Sequence, residues 1–233
     1  MINIITGNII APNGFKAGSV HCGLKSNTRK HDIGIIFSEQ PCKAAALFTT
    51  NQIVAAPIKL SRDIVKNGKA HAIVVNSGNA NACTGFRGVE DCDALIFRLA
   101  EELSISPQEI LIASTGIIGV PLPSKKILKA LPTLSEELSV NGWSRSAEAI
   151  MTTDLVAKSA SLSYKTGKSK ITIGGIAKGS GMIHPNMATM LGYISCDAGV
   201  PVEVWKDMVN RVVEKSFNSI TVDGDTRDRK SVV

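Results

Sequence analysis

Short aliphatic runs that close on glycine and hydroxyl side chains set the tightest limit on how this chain can fold. Residues Asp32 to Phe37 and Ala72 to Val75 are too short for buried helices and rich in β-branched side chains. Each therefore reads as a strand covered on both faces. Pro41 and Cys42 are expected to interrupt the first. The second runs straight into Asn76-Ser77-Gly78-Asn79-Ala80-Asn81-Ala82-Cys83-Thr84-Gly85, which reads as a polar loop with local hydrogen bonds or as one wall of a polar pocket. Ser106-Pro107-Gln108-Glu109 has the form of a capping box, so Ile110 to Ala113 either follows one helical turn or is already strand. It ends in Ser114-Thr115-Gly116-Ile117-Ile118-Gly119, a second glycine-hydroxyl junction. Further strands are expected at Ala45 to Thr49, Ile53 to Pro57, Leu191 to Ser195 and Asn218 to Val222, with a turn at Asp223 to Thr226 and a half-wet hairpin around Thr166-Gly167. Helices are expected over 62–70, 90–103, around Lys125 to Lys129 ahead of Pro132, from Ser146 to Ile150 and over 201–216. The mixture places the chain in the α/β (α+β) class.

Composition removes several functions. Aromatic residues are only 4% of the chain, so the core is built from Ile, Val, Leu and Ala, and a base-stacking platform is not available. The net charge of +6 comes from Lys and Arg spread without a dense run, which argues against nucleic acid. The five cysteines contain no CxxC pair and the four histidines no HxxxH or HExxH pattern, so no metal site is expected and the thiols read as reduced. No stretch approaches 18 uninterrupted apolar residues and the N-terminus lacks a charged, then apolar, leader, so a cytoplasmic protein without membrane attachment is expected.

The stretch Gly174 to Tyr193, GGIAKGSGMIHPNMATMLGY, is too irregular for a good helix or strand. Its glycines permit close backbone approaches, Lys178 is its only lysine or arginine, and Thr189 lies among small and soft residues. A threonine hydroxyl needs a base and an oxyanion site to act as a nucleophile. The α-amine released by breaking the bond before it is one such base.

The run KGSGMIHPNMATML, residues 178 to 191, resembles the self-cleavage segment of the ornithine acetyltransferase (ArgJ) family. The strand-to-loop sequence VNSGNANACTG, the STGIIG junction and the TTD segment at Thr152-Thr153-Asp154 resemble that family's motifs in the same order. The resemblance implies a layered α-β-β-α-like sandwich of the self-processing type. It implies cleavage between Ala188 and Thr189, giving an α-fragment of residues 1–188 and the start of a β-fragment, residues 189–233. Thr189 would be the nucleophile and Thr115 with Gly116 the oxyanion hole. Thr152, ahead of Thr153, would contact substrate, and Lys178 would draw a substrate carboxylate.

The implied reaction moves acetyl from N-acetylornithine to glutamate in arginine biosynthesis. It needs no cofactor, although acetyl-CoA is a possible second donor, and the αβ units are expected to associate as homo-oligomers. Two departures stand out. After Asp223-Gly224-Asp225-Thr226 the family's Ser-Thr-Asn-Asp run is replaced by Arg227-Asp228-Arg229-Lys230, and the family's later glutamate and asparagine pocket residues have no counterpart. Two other readings therefore accompany the first: a truncated non-catalytic relative, and a self-processing aminopeptidase of similar architecture.

Overall fold

The computed structural model of the chain describes residues 2–27, 30–167, 169–181, 190–222 and 230–232. Its strands form two sheets. In the six-stranded sheet β1 (Ile2–Ile5), β7 (Lys158–Thr166), β8 (Ser169–Lys178), β9 (Met190–Cys196), β10 (Lys230–Val232) and β4 (Leu47–Phe48) are neighbours in that order. In the four-stranded sheet the order is β2 (Phe15–Val20), β3 (Ile33–Lys43), β5 (Lys69–Asn79), β6 (Ile110–Ile117). Strands β5 and β6 are parallel, which requires a crossover, supplied by helix α2 (Gly85–Leu103).

Alternation along the strands sorts side chains into two cores. Ile33, Ile35, Val74, Ile110 and Ile112 face a helical layer and pack with Leu95 and Leu99 of α2 and with Ile127, Leu131 and Leu134 of α3 (Ser124–Glu136). Ile36, Val75 and Ala113 point the other way and meet Ile176, Leu191 and Tyr193 of the six-stranded sheet, joined by Ala147 of α4 (Trp143–Ala149). The result is an α+β sandwich, helices on one sheet and that sheet on another. Helix α5 (Val202–Glu214) packs Val213 with Leu47 and Phe217, and it lines a cavity shared with Ile173 and Ile194 of the six-stranded sheet and Ala70 to Ile73 of β5.

The exposed edge of β6 is closed by a side chain. Buried Ser61 on α1 (Ala56–Ile64) donates to the Ile112 carbonyl at 2.7 Å and accepts the Ile112 N–H at 2.8 Å, standing in for a neighbouring strand.

Several elements differ from the sequence expectations. Ile53 to Pro57 is not a strand, since Ala56 and Pro57 open α1, where proline's missing N–H costs nothing. That helix ends at Ile64, so the helix expected over 62–70 divides into the last residues of α1, a 3-10 turn at Val65–Asn67 and the start of β5. Pro41 and Cys42 do not end β3 but lie beyond a register shift in its pairing with β5. Asn76 to Asn79, expected as loop, continue β5. Pro107–Glu109 form a single 3-10 turn without a side-chain cap, and β6 starts at Ile110. Pro132 lies inside α3 rather than after it. Phe217–Ser219 form a 3-10 turn where strand was expected, and the turn at 223–226 lies outside the described residues. The hairpin at Thr166-Gly167 forms with Gly167 at φ +57°.

Candidate active site

The site is assembled where β5 and β6 end side by side. Ser77 pairs with Thr115 and Gly78 with Gly116, at the point where the ladder loses register. Gly116 has φ +135°, and a Cβ there would fall 2.5 Å from the Asn79 nitrogen. Only glycine fits. Gly78, at φ +104°, is itself overlain by Leu24, whose carbonyl oxygen a Cβ would approach to 3.0 Å. Residues 116, 78 and 24 thus stack backbone on backbone.

Lys178, the last residue of β8, comes to this end from the opposite sheet. Its ammonium is buried, which demands compensating partners. It donates to Thr152 Oγ1 at 2.7 Å and to Thr115 Oγ1 at 3.4 Å, and it stands 3.9 Å from the Asp154 carboxylate. Asp154 also accepts the Gly179 N–H at 2.7 Å and an Nζ–H of Lys158 at 2.7 Å. Burial alone would raise the Asp154 pKa, but the Lys158 hydrogen bond, the Gly179 amide and the Lys178 charge together hold it below the usual carboxylate range. Thr153 turns elsewhere, its hydroxyl 3.0 Å from Ser180 Oγ.

A second anchor lies on the loop beneath Gly78. The Asp32 side chain has no exposure and accepts four successive amide N–H groups, from Cys22, Gly23, Leu24 and Lys25, at 2.6 to 3.1 Å. Burial opposes its charge, yet these amides keep its pKa low. The loop so held presents Lys25, whose Nζ donates to His31 O at 2.9 Å and to Ala149 O at 3.4 Å. The Ala149 carbonyl also accepts the Ser77 hydroxyl, which ties α4 to β5 beside Thr115.

Of the residues singled out in the sequence, Thr115, Thr152 and Lys178 are therefore in direct contact, and Gly116 adjoins them. Ala188 and Thr189 lie outside the described residues, but Leu191, two positions on, pairs with Lys178. The asparagines of the VNSGNANACTG stretch bond backbone carbonyls, and Asn76 also lines a small cavity with Ile33 and Val74. Asn76 donates to Asn79 O, Asn79 to Val120 O and Asn81 to Gly88 O, so their amides hold the chain that carries Gly78.

Asp154, Ser77 and Lys25 join the site beyond the residues to which the sequence assigns a role. Asp154 had a signal, being adjacent to Thr152 and Thr153. Lys25 had none, because its place depends on the amides gathered by Asp32 and on the Ala149 carbonyl, 124 residues away.

Among the described residues no group of His, Cys, Asp and Glu is placed to hold a metal ion, none of the five cysteines forms a disulfide, and no helix is long and apolar enough to cross a membrane. A cavity of about 810 Å³ lies away from this cluster, between α5 and the bulged end of β3.

Comparison with known proteins agrees with this geometry. Residues 16–232 match the model of the ArgJ family. The arginine biosynthesis bifunctional protein ArgJ of Prochlorococcus marinus is 47% identical over 231 residues, 98% of this chain and 56% of that protein. The chain thus spans just over half the length of the curated relatives it matches. The crystal structure of ornithine acetyltransferase from Mycobacterium tuberculosis, complexed with ornithine, superposes with a TM-score of 0.74 at 34% identity, over 82% of this chain and 100% of that one. An aminopeptidase from Ochrobactrum anthropi, described as a variant of the Ntn-hydrolase fold, matches at TM-score 0.56 and 11% identity over 99% of this chain and 75% of its own, a likeness of fold alone. With a family match across nearly its whole length and three of the motif residues meeting at one point, the chain belongs to the ArgJ family.

Proposed function

We propose that this chain carries a threonine acetyltransferase site that moves acetyl from N-acetylornithine to glutamate, as a step of arginine biosynthesis. The observation that supports it most is the meeting of Thr115, Thr152 and Lys178, brought from β6, the segment after α4 and β8, around one buried ammonium. Ornithine in the M. tuberculosis complex makes amino acids of that kind the natural substrates to test here.

The site is made by self-cleavage. Thr189 Oγ attacks the Ala188 carbonyl, and the peptide C–N bond gives way to an ester and a free Thr189 amine. Water then hydrolyses the ester, leaving fragments 1–188 and 189–233. The match of an entire solved chain to 82% of this one, roughly 191 of 233 residues, is the length expected for a fragment ending near Ala188. The second fragment does not separate, because β9 is an inner strand paired with β8 from Lys178 to Ile173 and with β10 on its other side. A fragment of 45 residues could not bury a core of its own.

An α-amine titrates near 7.7–8.0, so it serves as base to the neighbouring hydroxyl close to neutral pH. Thr189 Oγ attacks the acetyl carbonyl of N-acetylornithine, the amine takes its proton and passes it to the departing ornithine nitrogen. Thr115 O–H and Gly116 N–H hold the oxyanion. By accepting from Lys178, the Thr115 oxygen leaves its own hydrogen to donate elsewhere. Glutamate's amine then attacks the acetyl-threonine and N-acetylglutamate leaves, a ping-pong sequence. Lys178 attracts the α-carboxylate common to both amino acids, with Thr152 orienting its ammonium. No cofactor takes part, and acetyl-CoA is a second donor to be assayed.

Release of ornithine from N-acetylornithine, measured with and without glutamate, tests the reading. Release that needs glutamate and yields equal N-acetylglutamate is expected. Equal release without glutamate would mean hydrolysis of the aminopeptidase kind, and no release would mean a non-catalytic chain.

A further inference from the structure

Lys25 has a setting that the transfer reaction as written does not use. Its ammonium is held by two carbonyl oxygens, those of His31 and Ala149, and among the described residues no carboxylate lies within ion-pair distance of it. Asp32, the nearest candidate, has its oxygens taken by four amide N–H groups and the His21 ring. The other carboxylate within reach, Asp154, is shared by Lys158 and Lys178. Lys25 and Lys178 are near enough to feel each other's charge. The Lys178 ammonium is bonded to the Thr115 hydroxyl, and the Lys25 ammonium to the Ala149 carbonyl that Ser77, the cross-strand partner of Thr115, also holds. Such a pair is unfavourable until an anion settles beside it.

Donor and acceptor share an α-carboxylate and differ at the far end, where ornithine has an ammonium and glutamate a carboxylate. One fixed cation answers the shared group. The difference calls for a second cation that pairs with a carboxylate yet yields to an ammonium. Lys25 fits this requirement, being bonded among the described residues to two neutral carbonyls, on a loop that Asp32 holds by four amides. Building on the function proposed above, we infer that Lys25 is the specificity-determining contact for the side-chain carboxylate of glutamate and N-acetylglutamate.

Burial and the charges of Lys30 and Lys178, opposed by Asp32 and Asp154, bring the Lys25 pKa from 10.5 down to about 8. Its charge therefore falls away as pH rises from 7 to 9. The guanidinium of an arginine in its place would keep its charge throughout.

The test is equilibrium dialysis of the full chain against N-acetylglutamate, labelled in its glutamate carbons, and against N-acetylornithine. Lys25→Met is expected to weaken N-acetylglutamate at least tenfold while changing N-acetylornithine less than twofold. Wild-type affinity for N-acetylglutamate should decline several-fold between pH 7 and 9, and Lys25→Arg should abolish that decline. Equal loss of both ligands in Lys25→Met, no loss of either, no binding of N-acetylglutamate by the wild type, or the same pH decline in Lys25→Arg would each overturn the inference. The transfer assay run beside it separates the two claims. Selective binding without transfer leaves the Lys25 contact standing and removes the reaction, whereas transfer with unselective binding does the reverse.

Discussion

The face of the four-stranded sheet under α2 and α3 leaves Leu99, Leu131 and Leu134 with no exposure, whereas the outer face of the six-stranded sheet leaves Leu162, Tyr164, Ile173 and Ile194 between 37% and 43% exposed. Both faces are aliphatic, and their strands have similar alternation. They differ in what lies over them. Three helices seal the first, whereas on the second Ile173 and Ile194 only share the lining of the 810 Å³ cavity with Met208 and Val212 of α5, which are themselves 40% and 51% exposed. The described site residues sit on the sealed side's strands and at the seam between the sheets. The candidate site thus rests on the well-covered half of the molecule.

Substitutions on the two faces should respond accordingly. Leu131→Ala, in the sealed core, is expected to cost about 2–5 kcal/mol in urea unfolding, because the site cannot collapse around the lost volume. If it cost no more than a change on α5, the contrast between the faces would be void. Thr115→Val keeps the shape and removes the hydroxyl, so transfer should drop by roughly 10²–10³, about 3 kcal/mol of transition-state stabilisation, with little change in unfolding. Ser61→Ala leaves the edge of β6 with an unpartnered N–H and C=O and should cost about 1–3 kcal/mol.

Acid should act more gently. Asp32 and Asp154 are both held below the ordinary carboxylate range, so their stabilising effect is complete above about pH 4 and is lost as pH falls through their lowered values. The urea midpoint should therefore be insensitive to these groups from pH 5 to 7 and decline below about pH 4. The smallest effect belongs to Met208→Ala on α5, expected within ~0.5 kcal/mol of wild type.

What could be read from the residues follows from the range of the forces involved. Strands at Asp32 to Phe37 and Ala72 to Val75, the Thr166-Gly167 hairpin and the α+β class depend on local pattern, and all of them form. Pro57 opens α1 rather than ending a strand; proline at a helix start and proline at a strand end look alike without tertiary context. The apolar stripe of α5 was legible, but a stripe does not say whether anything covers it. Within the site, Thr115, Gly116, Thr152 and Lys178 stood out by motif. Lys25 and Ser77 did not, since both are placed through Ala149, 72 or more residues away along the chain.

Intact-mass measurement of the purified protein bears most directly on the central claim that Thr189 becomes a chain terminus and acts through its own amine. Two species are expected, residues 1–188 and 189–233, that co-purify and are replaced by one uncut chain in Thr189→Ala. A single species of 233 residues in material that transfers acetyl would contradict it.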